Sequence, residues 1–201
     1  TIIATKIISS HHADYLFPIR TKSFNNSIRA TRIFLQHGVF GVKHMGRTYG
    51  KQALTFKTDM FITSSEYEKE YAISDLNYRS KDVFVTGLSR FDTLFENNVM
   101  VKRQVLIIPT WRDWLQSIDS FLESEYYLRF SSLVNNEELI QHAKENDYDL
   151  VLCLHPNMQI FSSYFEDSPV KIIYQGDVDV QELIKESALM VTDYSSVAFD
   201  L

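Results

Sequence analysis

Two histidines stand where an apolar run gives way to a loop. In Leu35-Gln36-His37-Gly38-Val39-Phe40-Gly41, His37 has Gly38 and Gly41 beside it, which leave a substrate little steric obstruction. Neutral imidazole at that point suits a general base near neutral pH, although a histidine there can equally cap a turn. Leu152-Cys153-Leu154-His155-Pro156 repeats the arrangement, with Pro156 keeping His155 extended. One strand-end histidine is commonly structural. One in each half of the chain predicts a pair facing each other across a cleft, one as base and one on phosphate. Ile108-Pro109-Thr110-Trp111-Arg112 ends a third run. Its guanidinium can grip phosphate with two parallel bonds, or pair with Asp113 or another acid.

The most informative stretch is Met190-Val191-Thr192-Asp193-Tyr194-Ser195-Ser196-Val197, read as a strand entering a helix through a polar turn. Free N–H groups at a helix start favour an anion, and Ser195 and Ser196 add hydroxyls. A plain serine N-cap is the simpler alternative. Neither a Walker A loop nor GxGxxG occurs, so phosphate would not sit in a glycine cradle. Thr86-Gly87-Leu88-Ser89-Arg90-Phe91-Asp92 offers a glycine turn and Arg90, which can pair with Asp92 or point into the cleft. His11-His12 lacks a third spaced ligand, and GxSxG and CxxC are absent, so neither a metal site nor a serine or dithiol nucleophile is expected.

The elements that must position these residues follow from short, unalternated apolar runs. Strands are expected at Lys6–Ser10, Arg32–Gln36, Met60–Thr63, Val83–Thr86, Val105–Pro109, Leu150–Leu154, Lys171–Tyr174 and Leu189–Thr192, with both faces covered. Ser65-Glu66-Tyr67-Glu68 has the form of a capping box opening a helix to about Ser74, and Asn135 with Glu138 does the same to about Asn146. Further helices are expected over Asp179–Glu186 and from near Ser195. Alternation of this kind predicts an α/β protein with mainly parallel sheets.

Composition agrees with a globular chain: of 201 residues, 45% are apolar, 13% aromatic and 23% charged, which excludes disorder and coiled coil. The net charge of −6 is unevenly placed. Residues 1–100 carry 13 Lys/Arg and 9 Asp/Glu (+4), whereas 101–201 carry 7 and 17 (−10). Residues 1–58 hold nine of the bases and one acid, Asp14. That stretch has few neighbouring aromatics, so nucleic acid is not an expected partner. A polyanionic acceptor, an anionic membrane surface or a merely solvated face fits it. The change of sign near Glu96–Gln104 predicts two lobes, 1–98 and 99–201. Cys153 is the lone cysteine, which suits a cytoplasmic setting. No run approaches the ~20 apolar residues of a membrane span. The chain starts without Met and stops in an apolar run, so it is read as an internal fragment.

The ordered set resembles the CDP-glycerol glycerophosphotransferases, the primases and polymerases of wall teichoic acid. It comprises Gln36-His37-Gly38-Val39 with Gly41 and Lys43, Ile62-Thr63-Ser64-Ser65-Glu66, Val85 to Asp92, Ile108 to Arg112, Leu154-His155-Pro156 and Thr192 to Ser196. The resemblance implies a GT-B-like pair of Rossmann lobes, truncated at both ends, the first ending the acceptor side and the second binding nucleotide. It implies transfer of glycerol phosphate, or a related polyol phosphate, from CDP-glycerol to a hydroxyl of a growing polymer, releasing CMP. No cofactor is implied; the acceptor would be a lipid-linked polyol phosphate, and the enzyme cytoplasmic or peripheral on the membrane's inner face. Carried over, His37 is the base. Arg112, His155, Ser195 and Ser196 form the donor diphosphate site, Asp193 orients it, and Gly38, Arg90 and Thr110 contact substrate. Two positions depart from the family pattern: Gln36 replaces Trp before His-Gly, and Ser89 replaces Pro before Arg90. The two-lobe layout alone would equally suit another nucleotide-sugar glycosyltransferase or epimerase, or a non-catalytic relic of one.

Overall fold

A computed structural model describes residues 4–11, 16, 17, 19, 21–41, 43–53, 57–95 and 99–200. His12, Asp14 and positions 96–98 of the expected boundary lie outside them. The chain forms two compact units, Thr1–Glu96 and Asn97–Leu201.

The first unit is a four-stranded parallel sheet in the order β1 (Lys6–Ser9), β2 (Thr31–Phe34), β3 (Met60–Thr63), β4 (Val83–Val85). Helices α1 (Lys22–Ser27), α2 (Gly46–Tyr49) and α3 (Glu66–Ser74) join them. Phe61 of β3 is fully buried and packs against Phe34, Phe40 and Tyr78 with ring centroids 4.9–5.8 Å apart. The expectation of strands covered on both faces holds for β3 and fails for β1 and β4. Ile8 and Phe84 are exposed, because β1 and β4 are the two outer strands of this sheet.

Ser65 caps α3 by accepting the Glu68 N–H at 3.3 Å. The expected reciprocal bond is replaced, because the Glu68 carboxylate turns inward. It accepts the Phe40 N–H, the Ser64 N–H and the Ser64 hydroxyl, each at 2.8 Å, and the Gln36 amide at 3.3 Å. Glu68, 4% exposed, therefore staples the loop after β2 to the start of α3. Glu68→Ala is expected to lower the stability of this unit by roughly 2–4 kcal/mol. Each buried donor left without an acceptor costs about 1–3 kcal/mol, and such losses do not add fully. A shift in the urea midpoint measures it.

The second unit orders its parallel strands β7 (Lys171–Tyr174), β6 (Asp149–Leu154), β5 (Lys102–Ile107), β8 (Ser187–Val191). Helices α4 (Ile118–Leu122), α5 (Glu125–Val134), α6 (Glu137–Glu145) and α7 (Val180–Glu186) accompany them. Asn136, one residue later than expected, caps α6 by accepting the Leu139 N–H. Here the central strands β5 and β6 are covered on both faces, whereas Leu189 of the outer strand β8 is exposed. Val105, Ile107, Leu152 and Leu154 pack with Phe121, Phe161 and Phe165, while Leu106, Ile108, Val151 and Cys153 pack with Leu183 and Ile184. That explains the unalternated runs of β5 and β6. Burial pushes the Cys153 thiol up to about 11, so it is inert packing. No helix among the described residues is long and apolar enough to cross a membrane.

Candidate functional site

In the second unit the chain winds from β5 outward through β6 to β7, then returns to place β8 on the other flank of β5. Open α/β sheets bind ligands at such a reversal, outside the carboxyl ends of the flanking strands, which here are β5 and β8. Thr110 and Arg112 follow β5, and Asp193 follows β8. Asp193 ties these loops together. One carboxylate oxygen accepts the Thr110 N–H at 3.0 Å, its hydroxyl at 2.5 Å and the Tyr194 N–H at 2.8 Å. The other accepts Arg112 at 2.6 Å. Arg112 also donates to the Thr110 carbonyl at 2.5 Å, and its guanidinium lies 4.5 Å from the Tyr194 ring centre and 5.2 Å from that of Tyr126. Burial opposes ionisation of Asp193, but the bonds from Thr110 and Arg112 outweigh it and hold the carboxyl below its usual range. Of the two readings of Arg112, the ion pair is realised, with Asp193 rather than Asp113. The fork retains further N–H donors for an anion.

His155, at the end of β6, stacks on Trp111 with centroids 5.4 Å apart and planes 15° from parallel. Its Nδ1 accepts the Asn157 N–H at 3.2 Å. The neutral ring therefore carries its proton on Nε2, as a donor. Burial lowers its pKa, which keeps the ring neutral at pH 7. Beyond β8 the expected helix is a four-residue 3-10 turn, Ser196–Phe199, with Ser195 accepting the Val197 N–H at 3.5 Å. So short a turn has little macrodipole. Anion binding there would rest on the Ser195 and Ser196 hydroxyls and single N–H groups.

In the first unit the loop after β2 turns at Gln36, whose φ is +60°. That left-handed position is held by a glutamine, while a second one in the same loop falls on Gly41, φ +58°. Its side chain secures that backbone by donating to the Ile62 carbonyl at 2.7 Å and to Glu68. His37 Nδ1 lies 2.8 Å from the Ser10 carbonyl, which can only accept, so Nδ1 carries the proton and Nε2 presents a lone pair. His11 stacks on His37 with centroids 4.9 Å apart and planes 10° from parallel. Arg90 donates to the His37 carbonyl at 2.8 Å. Burial lowers the His37 pKa most; the Ser10 bond opposes this, and the positive fields of His11, Arg90 and Lys43 lower it further.

The two histidines thus present opposite polarity, a lone pair at His37 Nε2 and an N–H at His155 Nε2. Within the second unit Thr110, Arg112 and Asp193 form one bonded cluster, and His155 stacks on Trp111, which lies between Thr110 and Arg112 in the chain. Sequence reasoning missed Ser10, His11, Glu68 and Tyr194. The signal for Tyr194 was present, since an aromatic next to a strand-end acid can cover a guanidinium. The other three act through long-range contacts with no local signature. Among the described residues no three His, Cys, Asp or Glu side chains gather as metal ligands do.

Comparison with known proteins completes the picture. The chain is 30% identical to the minor teichoic acid biosynthesis protein GgaB of Bacillus subtilis (strain 168), over its whole length and 23% of that protein. It is 28% identical to the teichoic acid glycerol-phosphate primase of Bacillus spizizenii, over 81% of this chain and 36% of the primase. It thus spans about a quarter to a third of these relatives. Among solved structures it resembles the wall teichoic acid polymerase TagF, with a TM-score of 0.57 at 20% identity, covering 90% of this chain and 50% of that one. That likeness supports two Rossmann-like units of the GT-B class. The family described as CDP-Glycerol:Poly(glycerophosphate) glycerophosphotransferase matches residues 4–201. This match takes in both units and all the strand-end motifs, and the chain belongs to that family.

Proposed function

We propose that the chain transfers glycerol phosphate, or a related polyol phosphate, from a CDP-polyol to a terminal hydroxyl of a teichoic acid-type polymer. The acceptor oxygen attacks the phosphorus that bears the polyol. The bond from that phosphorus to the bridging oxygen breaks, and CMP leaves with that oxygen. The acceptor proton passes to His37 Nε2. His155 Nε2–H, Arg112 and the Ser195 and Ser196 hydroxyls neutralise the diphosphate. Thr110 and Asp193 hold Arg112 in place, while Gly38 and Arg90 shape the loop that carries His37. Such a reaction needs positioning and charge neutralisation more than covalent help from the protein. The acceptor is a lipid-linked polyol phosphate reached at the inner membrane surface, and the basic first segment supports that placement.

The observation that carries this reading is the fixed tautomer of His37, with Nδ1 committed to Ser10 and Nε2 left basic. A base must be unprotonated to act, and the His37 pKa lies below 6.5. The acidic limb of the kcat/KM profile is therefore expected below pH 6.5, with activity level from there to neutrality. A limb centred above pH 7 would remove His37 from the role. The function itself is tested by incubating the protein that carries this chain with CDP-glycerol and a glycerol phosphate primer. CMP release that requires the primer supports it. Turnover of UDP-sugars with none of CDP-glycerol rejects it.

A further inference from the structure

A concavity of about 200 Å³ opens in the first unit at the carboxyl ends of β2, β3 and β4. Leu35, Ile62 and Leu88 give it an apolar side, while Thr86, Ser89 and Asp92 give it a polar one. It adjoins the base. Leu35 is two residues before His37, and the 3-10 segment Ser89–Phe95, which supplies Ser89 and Asp92, is bonded through Arg90 to the His37 carbonyl. The segment that lines the pocket is therefore tied to the His37 loop by the Arg90 hydrogen bond.

The volume is below the about 300–1,000 Å³ that encloses a drug-sized ligand, so the pocket fits one end group and not a length of polymer. Its chemistry is selective. A carboxylate accepts hydrogen bonds and donates none; Asp92 thus favours hydroxyls and opposes phosphate. Arg90, on the segment between Ser89 and Asp92, and Lys43 add positive charge near His37 that suits the anionic link following the end group. The leucine and isoleucine side chains suit the carbon skeleton of a polyol.

We propose that this concavity is the acceptor subsite, in which Asp92 and Ser89 accept hydrogen bonds from the hydroxyls of the terminal polyol. A hydroxyl-ended chain enters, and a phosphate-ended chain is refused. The inference rests on His37 being the base of the transfer.

Two readouts test it on the protein that carries this chain. The first is direct binding of a hydroxyl-ended glycerol phosphate oligomer by calorimetry, beside the same oligomer phosphorylated at its end. The second is the pair of KM values for that oligomer and for CDP-glycerol. Ser89→Ala and Asp92→Asn replace exposed side chains and leave the fold intact. Each is expected to weaken binding of the hydroxyl-ended oligomer and raise its KM, about tenfold for Asp92→Asn, with the donor KM within twofold. Asp92→Lys is expected to admit the phosphate-ended oligomer. Unchanged oligomer binding in all three variants, or a rise confined to the donor KM, would overturn the subsite. Absence of CDP-glycerol turnover in the unaltered protein would defeat the functional reading instead, and the binding comparison would still decide the subsite.

Discussion

His37→Ala is expected to lower primer-dependent CMP release by 10²–10⁴-fold, the usual range for a positioned general base. The loss falls on kcat, because His37 meets the acceptor proton and not the donor nucleotide. His37→Asn separates this role from a structural one. Its side-chain amide can still donate to the Ser10 carbonyl, replacing the 2.8 Å bond that Nδ1 makes, and so can preserve the loop. It provides no basic nitrogen. A comparable loss in both variants, with unchanged thermal midpoints and donor KM, identifies the proton transfer. Recovery of activity in His37→Asn would show that the histidine only holds the loop.

The second large effect belongs to Asp193→Ala. The carboxylate anchors three donors from two loops and pairs with Arg112, whose side chain is 12% exposed. Removing one partner of a buried ion pair costs about 3–5 kcal/mol. With Asp193 21% exposed, water offsets part of this, and about 3 kcal/mol is expected. Donor KM should rise in parallel, since Thr110 and Arg112 lose their register. The pH dependence has a definite sign. The folded carboxyl titrates below its ordinary value of 3.8, so its stabilisation is complete above that value and is lost as pH falls through the lower folded pKa. Acid unfolding of the second unit should begin at higher pH in Asp193→Asn, which retains the shape without the charge. Urea midpoints measured from pH 2 to 6 give this directly.

The strands were legible because buried parallel strands write themselves as apolar runs. All eight appear within three residues of their expected limits. So was the siting of His37, Arg112, His155 and Asp193, since strand ends are where such sheets hold ligands. What local sequence does not carry is which distant groups meet. The Arg112–Asp193 pair spans 81 positions and Gln36–Glu68 spans 32. Ser65-Glu66-Tyr67-Glu68 predicted a helix start correctly, yet the glutamate serves the His37 loop rather than its own cap. The turn after β8 was read as a helix because a serine N-cap looks the same before a 3-10 turn. His11 was weighed only as a metal ligand, though its ring lies on that of His37. By count alone, the acidic excess of residues 101–201 opposes an anionic ligand. Net charge is a poor guide at that scale, because screening confines exposed charges to about 8–10 Å and Arg112 and His155 supply donors at the strand ends themselves.

The central claim is that a nucleotide-activated polyol phosphate, and not a sugar, is handed to a hydroxyl. The most direct measurement is turnover of CDP-glycerol labelled with ³²P at the phosphorus bearing the glycerol, in the presence of a hydroxyl-ended primer. The account predicts that the label enters the primer in equal amount to the CMP released, and that His37→Asn abolishes both. Label appearing as free glycerol phosphate at the same rate without primer, or retained in CDP-glycerol while a UDP-sugar is consumed, would contradict it.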